Sequence, residues 1–133
     1  MDKSLGHGGM PLLDQLGVSF TGYGEGWAEA TWVPTELACN PFGTVHGGVY
    51  GVMHDAAMNF AANSALSSGE RVATLEIKVS TIRAAQAGDT LATRADVIRL
   101  ARTIAYLESR VSDAEGEVVS TATGTFFVRR KEQ

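Results

Sequence analysis

The stretch from Thr44 to Gly69 constrains this chain more than any other. Val49, Val52, Met53, Ala56, Ala57, Phe60 and Ala61 recur at the i, i+3, i+4 spacing of a helix. Thr44 is the expected N-cap and Gly69 the expected residue just past the C-terminus. A helix of about 21 residues spans roughly 30 Å. It is apolar nearly all round, as a helix buried inside a fold is. It does not read as a membrane span, because Ala and Gly supply much of its apolarity and Asp55 lies mid-span.

The sequence after this helix alternates with a period of two. Leu75, Ile77 and Val79 are expected to face one way, and Glu76, Lys78 and Ser80 the other. Leu91–Arg99, Thr103–Asp113 and Val118–Arg130 predict three more strands, with turns at Ala87-Gly88-Asp89, Ala101-Arg102 and Ala114-Glu115-Gly116. Upstream, Pro11–Gly17 reads as a short helix, Val18–Tyr23 and Trp27–Pro34 as strands about a Gly24-Glu25-Gly26 turn, and Glu36–Thr44 as a loop. One long helix followed by sequential strands predicts an α+β fold: a curved antiparallel sheet packed on a single central helix. With 133 residues, no internal repeat and no Pro- or Ser-rich linker, residues 1–133 form one domain. Met1–Met10 reads as a flexible glycine-rich start in which His7 is solvated.

Charge and residue counts exclude several function classes. A net charge of −4 argues against a nucleic-acid or anionic-membrane partner, which needs clustered Lys and Arg. A single cysteine, Cys39, rules out an internal disulfide and a multi-cysteine zinc site. His46 and His54 stand eight residues apart, too far along one helix to share a metal ion. Ser64, Ser67 and Ser68 lack the G-x-S-x-G elbow of a serine hydrolase, and the glycine clusters do not open a helix after a strand as a dinucleotide site requires. No metal and no cofactor is implied. The absence of an apolar leader or a lipidation signal leads us to expect a cytoplasmic protein.

Two residues of the helix invite chemistry. Asp55 is a carboxylate among apolar neighbours, which is costly unless it is paired or hydrogen-bonded. It reads equally well as a catalytic group or as a residue on the helix's one wet stripe. Gly47 falls in the first turn, where a backbone N–H lacks an intrahelical partner and lies at the positive end of the helix dipole. Such a group can hold an oxyanion, or the glycine pair can simply make a tight entry turn. Eight residues of helix place Gly47 and Asp55 about 12 Å apart. If both groups serve one reaction, two antiparallel helices must meet at a two-fold axis. Gly47 and Gly51, four apart, would let a second backbone come close.

Asn40-Pro-Phe-Gly-Thr-Val-His46-Gly47-Gly48, followed by Asp55 and later by Thr74-Leu-Glu-Ile-Lys-Val-Ser and Gly88-Asp89, resembles the hotdog-fold acyl-CoA thioesterases, in particular the phenylacetate-pathway (PaaI-like) group. The resemblance implies a hotdog fold, an acyl-CoA substrate with an aromatic or medium-chain acyl group, and a homodimer that completes the site, commonly paired into a homotetramer. It casts the Gly47 N–H as the oxyanion hole, and Asp55 of the facing subunit as nucleophile or general base. Asn40 and Thr74 would position water, the carbonyl or Asp55, and His46 would orient the oxyanion loop. Gly48, Tyr50, His54, Met58 and Arg83 are the residues expected to contact substrate, with core packing the default for Tyr50 and Met58, a satisfied core or surface position the commoner one for His54, and a solvated face the simpler reading of Arg83. His54 stands where the family often has an aliphatic residue, and Ala84 where a proline is common. Two other readings stay open: a hotdog enoyl-thioester hydratase or dehydratase, whose usual His-Phe-Pro segment is missing, and a non-catalytic acyl-CoA binding module.

Overall fold

The computed structural model describes residues 6–131. In chain order the elements are α1 (Pro11–Leu16), β1 (Val18–Gly24), β2 (Trp27–Trp32), a short 3-10 turn (Glu36–Ala38), α2 (Gly47–Ser64), β3 (Arg71–Thr81), β4 (Leu91–Leu100), β5 (Ile104–Ser112) and β6 (Val118–Arg129). All six strands join one antiparallel sheet in the order β1-β2-β4-β5-β6-β3, and α2 packs across it.

That order corrects one expectation. Strand β3 does not turn tightly into β4. It lies at the far edge and pairs with β6, from Arg71↔Arg129 to Thr81↔Ser120. Both edges of β4 are already taken, by β2 on one side and β5 on the other. Segment 82–90 is therefore a crossover, pinned where the Gly88 N–H donates to the Pro34 carbonyl at 2.9 Å. The alternation expected in β3 is also interrupted. A bulge between Thr74 and Glu76 throws Leu75 out of phase, so Leu75 is 59% exposed while Ile77 and Val79 stay half-buried against the core.

Helix α2 is shorter than the sequence suggests, at 18 residues. Its N-cap is His46, whose side chain accepts from the Gly48 N–H. Thr44 is not free to cap, because its hydroxyl and its N–H are both bonded to the Asn40 side chain. At the other end Ala65 and Leu66 bond back to Ala62 and Asn63 and close the last turn. Gly69, at φ +88°, instead turns the chain towards β3.

The core lies between α2 and the sheet. Trp32 meets Tyr50 edge-on, with centroids 5.6 Å apart, and its indole N–H donates to the Leu16 carbonyl at 2.9 Å, which ties α1 to the sheet. Burial of each such large side chain contributes about 2–3 kcal/mol. The start of the chain is also engaged. Gly6 bridges Phe20, and His7 is half-buried rather than solvated. The expectation of flexibility for residues 1–5 lies outside the described residues. Among the described residues, no helix is long and apolar enough to cross a membrane.

Candidate active site

Helix α2 shows two different faces. Tyr50, Met53, His54, Ala57, Met58 and Ala61 point into the core and are at most 1% exposed. Gly51, Val52, Asp55, Ala56, Asn59 and Asn63 form a half-buried stripe about a quarter-turn or more away. Successive helix residues sit about 100° apart, so His54 and Asp55 fall on opposite sides of this divide.

On the half-buried stripe, Asp55 is held by one oxygen. Its Oδ1 accepts from the Thr74 hydroxyl at 2.7 Å and from the Asn59 amide at 2.8 Å. The same amide nitrogen donates to the Asp55 backbone carbonyl at 2.8 Å, so Asn59 fixes both the side chain and its own turn. Oδ2 has no hydrogen-bond partner among the described residues. Beside this carboxylate opens a cavity of about 560 Å³, walled by Val52, Ala56, Phe20, Phe60, Met10 and Leu13 and also lined by His7. Phe20 and Phe60 stack at 4.5 Å. Sequence reasoning singled out neither Asn59 nor Phe20, and it read His7 as solvated. Only Asn59 carried a usable signal, as the residue one helical turn after Asp55.

A second cluster forms at the start of α2. Asn40 closes its own turn: Oδ1 accepts from the Phe42 and Thr44 N–H groups at 2.9 and 3.3 Å, and Nδ2 donates to the Thr44 hydroxyl at 2.8 Å. The His46 Nδ1 accepts from the Gly48 N–H at 2.9 Å. That leaves Gly48 without a free donor. A side chain there would meet the His46 ring at 3.2 Å. The Gly47 N–H has no partner among the described residues, and the space its Cβ would occupy is empty within 4 Å. The structure thus brings Asp55 and Thr74 together, and separately Asn40, His46, Gly47 and Gly48. One helix does not join the two groups, which its rise keeps about 12 Å apart.

Three expected substrate contacts fall in the core instead. Tyr50, His54 and Met58 are at most 1% exposed and face the sheet, so none of them lines the Asp55 cavity. Burial pushes the Tyr50 phenol above its usual pKa. The His54 ring spans β5 and β6, with Nδ1 2.7 Å from the Ser109 hydroxyl and Nε2 2.8 Å from that of Ser120. Ser120 donates its proton to the Ser80 carbonyl at 2.9 Å, so it accepts from His54. The proton of the imidazole is therefore on Nε2, and Nδ1 accepts from Ser109. Burial pushes this histidine down to about 4, which keeps it neutral. Arg83 is elsewhere, half-exposed in the crossover and 3.8 Å from Asp113.

The family model of the thioesterase superfamily matches residues 42–120, more than half of the chain. The chain belongs to the thioesterase superfamily. That match takes in Gly47, Asp55 and Thr74 and leaves out Asn40, His7 and Phe20. A 1,4-dihydroxy-2-naphthoyl-CoA hydrolase of Listeria monocytogenes is 28% identical over 122 residues, covering 92% of this chain and 98% of the relative. A phenylacetic acid degradation-related protein of Ralstonia eutropha is 31% identical, with a TM-score of 0.81 over 89% of this chain and 90% of that one. A Haemophilus influenzae thioesterase is 27% identical, with a TM-score of 0.83 over 90% and 82% of the two chains. The six-stranded antiparallel sheet with one long helix is the hotdog fold of these thioesterases, and this superfamily member is a thioester hydrolase.

Proposed function

We propose that this thioesterase hydrolyses aromatic or medium-chain acyl-CoA to the free acid and CoA, at sites shared across a homodimer. The observation that carries this reading is the divided carboxylate of Asp55. Oδ1 is anchored by Thr74 and Asn59, while Oδ2 is left free beside a largely apolar cavity with stacked aromatic rings. The free oxygen either attacks the thioester carbon or takes the proton of an attacking water. In both routes the carbonyl oxygen gains charge, and the unpartnered Gly47 N–H at the positive end of α2 is suited to receive it.

The 12 Å between these groups makes a second copy necessary. Open space at the Cβ positions of Gly47 and Gly51 and the unpaired outer edge of β3 favour close approach of that copy. We extend the assembly to a pair of dimers on the family resemblance. His46 shapes the oxyanion turn as the helix cap, and Asn40 holds the loop that leads into it. Arg83 is assigned to the CoA phosphates. Its crossover runs beside that same turn, where the Val45 N–H donates to Ala85 at 2.8 Å and Thr44 bridges Gln86. The relatives named for a naphthoyl-CoA and for phenylacetic acid degradation support an aromatic acyl group.

The test is thiol release from phenylacetyl-, benzoyl-, hexanoyl-, palmitoyl- and crotonyl-CoA, with wild type and Asp55→Asn side by side and an enzyme-only blank for Cys39. Release that collapses in the variant supports the reading. Loss of enoyl absorbance without thiol release identifies a hydratase, and stoichiometric binding without turnover a binding module. Sedimentation that finds an active monomer refutes the shared site.

A further inference from the structure

The face of the sheet turned away from α2 carries a charge pattern that the chemistry at Asp55 does not use. Alternate residues of a strand point to opposite sides. Thr93, Ala95, Leu107 and Ser109 are buried on the side of α2, so Ala92, Arg94, Asp96, Glu108, Arg110 and Ser112 belong to the other face. The pairing of β4 with β5 sets them in rows: Ala92 beside Ser112, Arg94 beside Arg110, and Asp96 beside Glu108. Tyr106 stands one row further, next to the exposed Ile98 in the bulge between Val97 and Arg99. Along the strands the rows run small, basic, acidic and bulky. Two of them place like charges directly opposite one another, which destabilises a sheet. The chain compensates only part of this. Arg94 is neutralised by Glu29 at 2.6 Å and by Asp96 at 3.0 Å, and its guanidinium lies 4.5 Å from the centre of the Trp27 ring. Arg110 and Glu108 are exposed and have no ion-pair partner among the described residues. Two unmatched charges of opposite sign thus stand two residues apart on β5, about 7 Å along the strand. A hollow of about 390 Å³ opens over them.

Resting on the pair-of-dimers reading above, we propose that this face of the sheet docks on the same face of a second copy, with Arg110 of each chain paired to Glu108 of the other. A two-fold axis between two stacked faces, running across the strands and midway between the basic and acidic rows, exchanges those rows. Basic side chains then meet acidic ones in both directions. The same rotation carries the bulky row of Tyr106 over the small row of Ala92 and Ser112, so shape and charge select one register. An axis along the strands would instead stack arginine on arginine, which such an interface avoids. Sheets packed face to face stand about 10 Å apart, a gap that Arg and Glu side chains span from opposite sides. The contact leaves α2 and the outer edge of β3 free for the dimer that shares the site.

The experiment is sedimentation of wild type, Arg110→Glu, Glu108→Arg and an equimolar mixture of the two variants, with thiol release measured on each. Low salt is used, where exposed charges are least screened. Each single variant leaves one sign of charge at these two positions of β5. Its dimer–dimer Kd should therefore rise by about tenfold or more, with thiol release per chain unchanged. The mixture, and the double variant Arg110→Glu/Glu108→Arg, should recover the wild-type assembly. Single variants that assemble as wild type does overturn the interface. So does a failure of both the mixture and the double variant to recover. Assembly that follows the charges without turnover of any thioester keeps this interface and sinks the hydrolase reading. Turnover with an assembly blind to the charges does the reverse. Dissociation of a single variant to an active monomer keeps the interface and refutes the shared site.

Discussion

His54 and Asp55 are neighbours in sequence and opposites in structure. Each has two side-chain atoms able to take part in hydrogen bonds. At His54 both are used, by Ser109 and Ser120, in a pocket with no exposure. At Asp55 one is used and the other is left open beside a cavity. A closed polar network specifies the packing of a core. A half-open one holds a group in place and leaves it able to react. A single step along the helix, about 100° of rotation, separates these two uses of a polar residue.

The comparison breaks most readily at Asp55. Asp55→Asn keeps the shape and the donors but removes the free basic oxygen, so kcat should fall by at least about 10²-fold while the thermal melt stays near wild type. Near-full activity in a folded variant would end the catalytic assignment. The closed network should instead respond through stability. The unfolded chain protonates His54 as pH falls below its ordinary 6.5, whereas the folded protein resists until about 4. The unfolded state therefore binds more protons across that window, and acid should remove about 3 kcal/mol of stability there. Denaturant melts at pH 7, 5.5 and 4 should show that loss, and His54→Leu should flatten the slope whatever it does to the absolute level.

Smaller effects sharpen the contrast. Gly47→Val should lower kcat/KM by about tenfold or more, because bulk would close the space beside the N–H. Unchanged kinetics would count against an oxyanion there. Thr74→Val removes one of the two anchors on Oδ1 and leaves Asn59 in place, so the fall in kcat should be only severalfold, on the order of 1 kcal/mol.

Much of this architecture was legible in the sequence because it follows local periods. The 3.6-residue stripe marks α2, and the two-residue alternation marks β4 to β6, whose observed bounds depart from the expected ones by only a residue or two. The position of β3 was not legible, since which strand fills which edge is decided by pairing between distant segments. The cap was misplaced for a similar reason: Asn40, four residues upstream, occupies both polar groups of Thr44. Asp55 and Gly47 stood out as residue types spaced along one helix, and Thr74 only through the family resemblance. Which of His54 and Asp55 faces the sheet did not, because a helix apolar nearly all round shows no wet side. His7 was misread because nothing in a glycine-rich start reveals that its neighbour Gly6 pairs with Phe20.

The histidine wedged between β5 and β6 has a bearing on how such a sequence can diverge. Ser109, Ser120 and His54 come from three separate elements, yet each satisfies another. Drift at one position alone strands a polar group in a dry core, while a coordinated change to aliphatic and small residues does not. These three sites should therefore co-vary among relatives, with an aliphatic residue at position 54 accompanied by apolar residues at 109 and 120. Asp55, next in line, lies outside that trio and bonds to Thr74 and Asn59 instead.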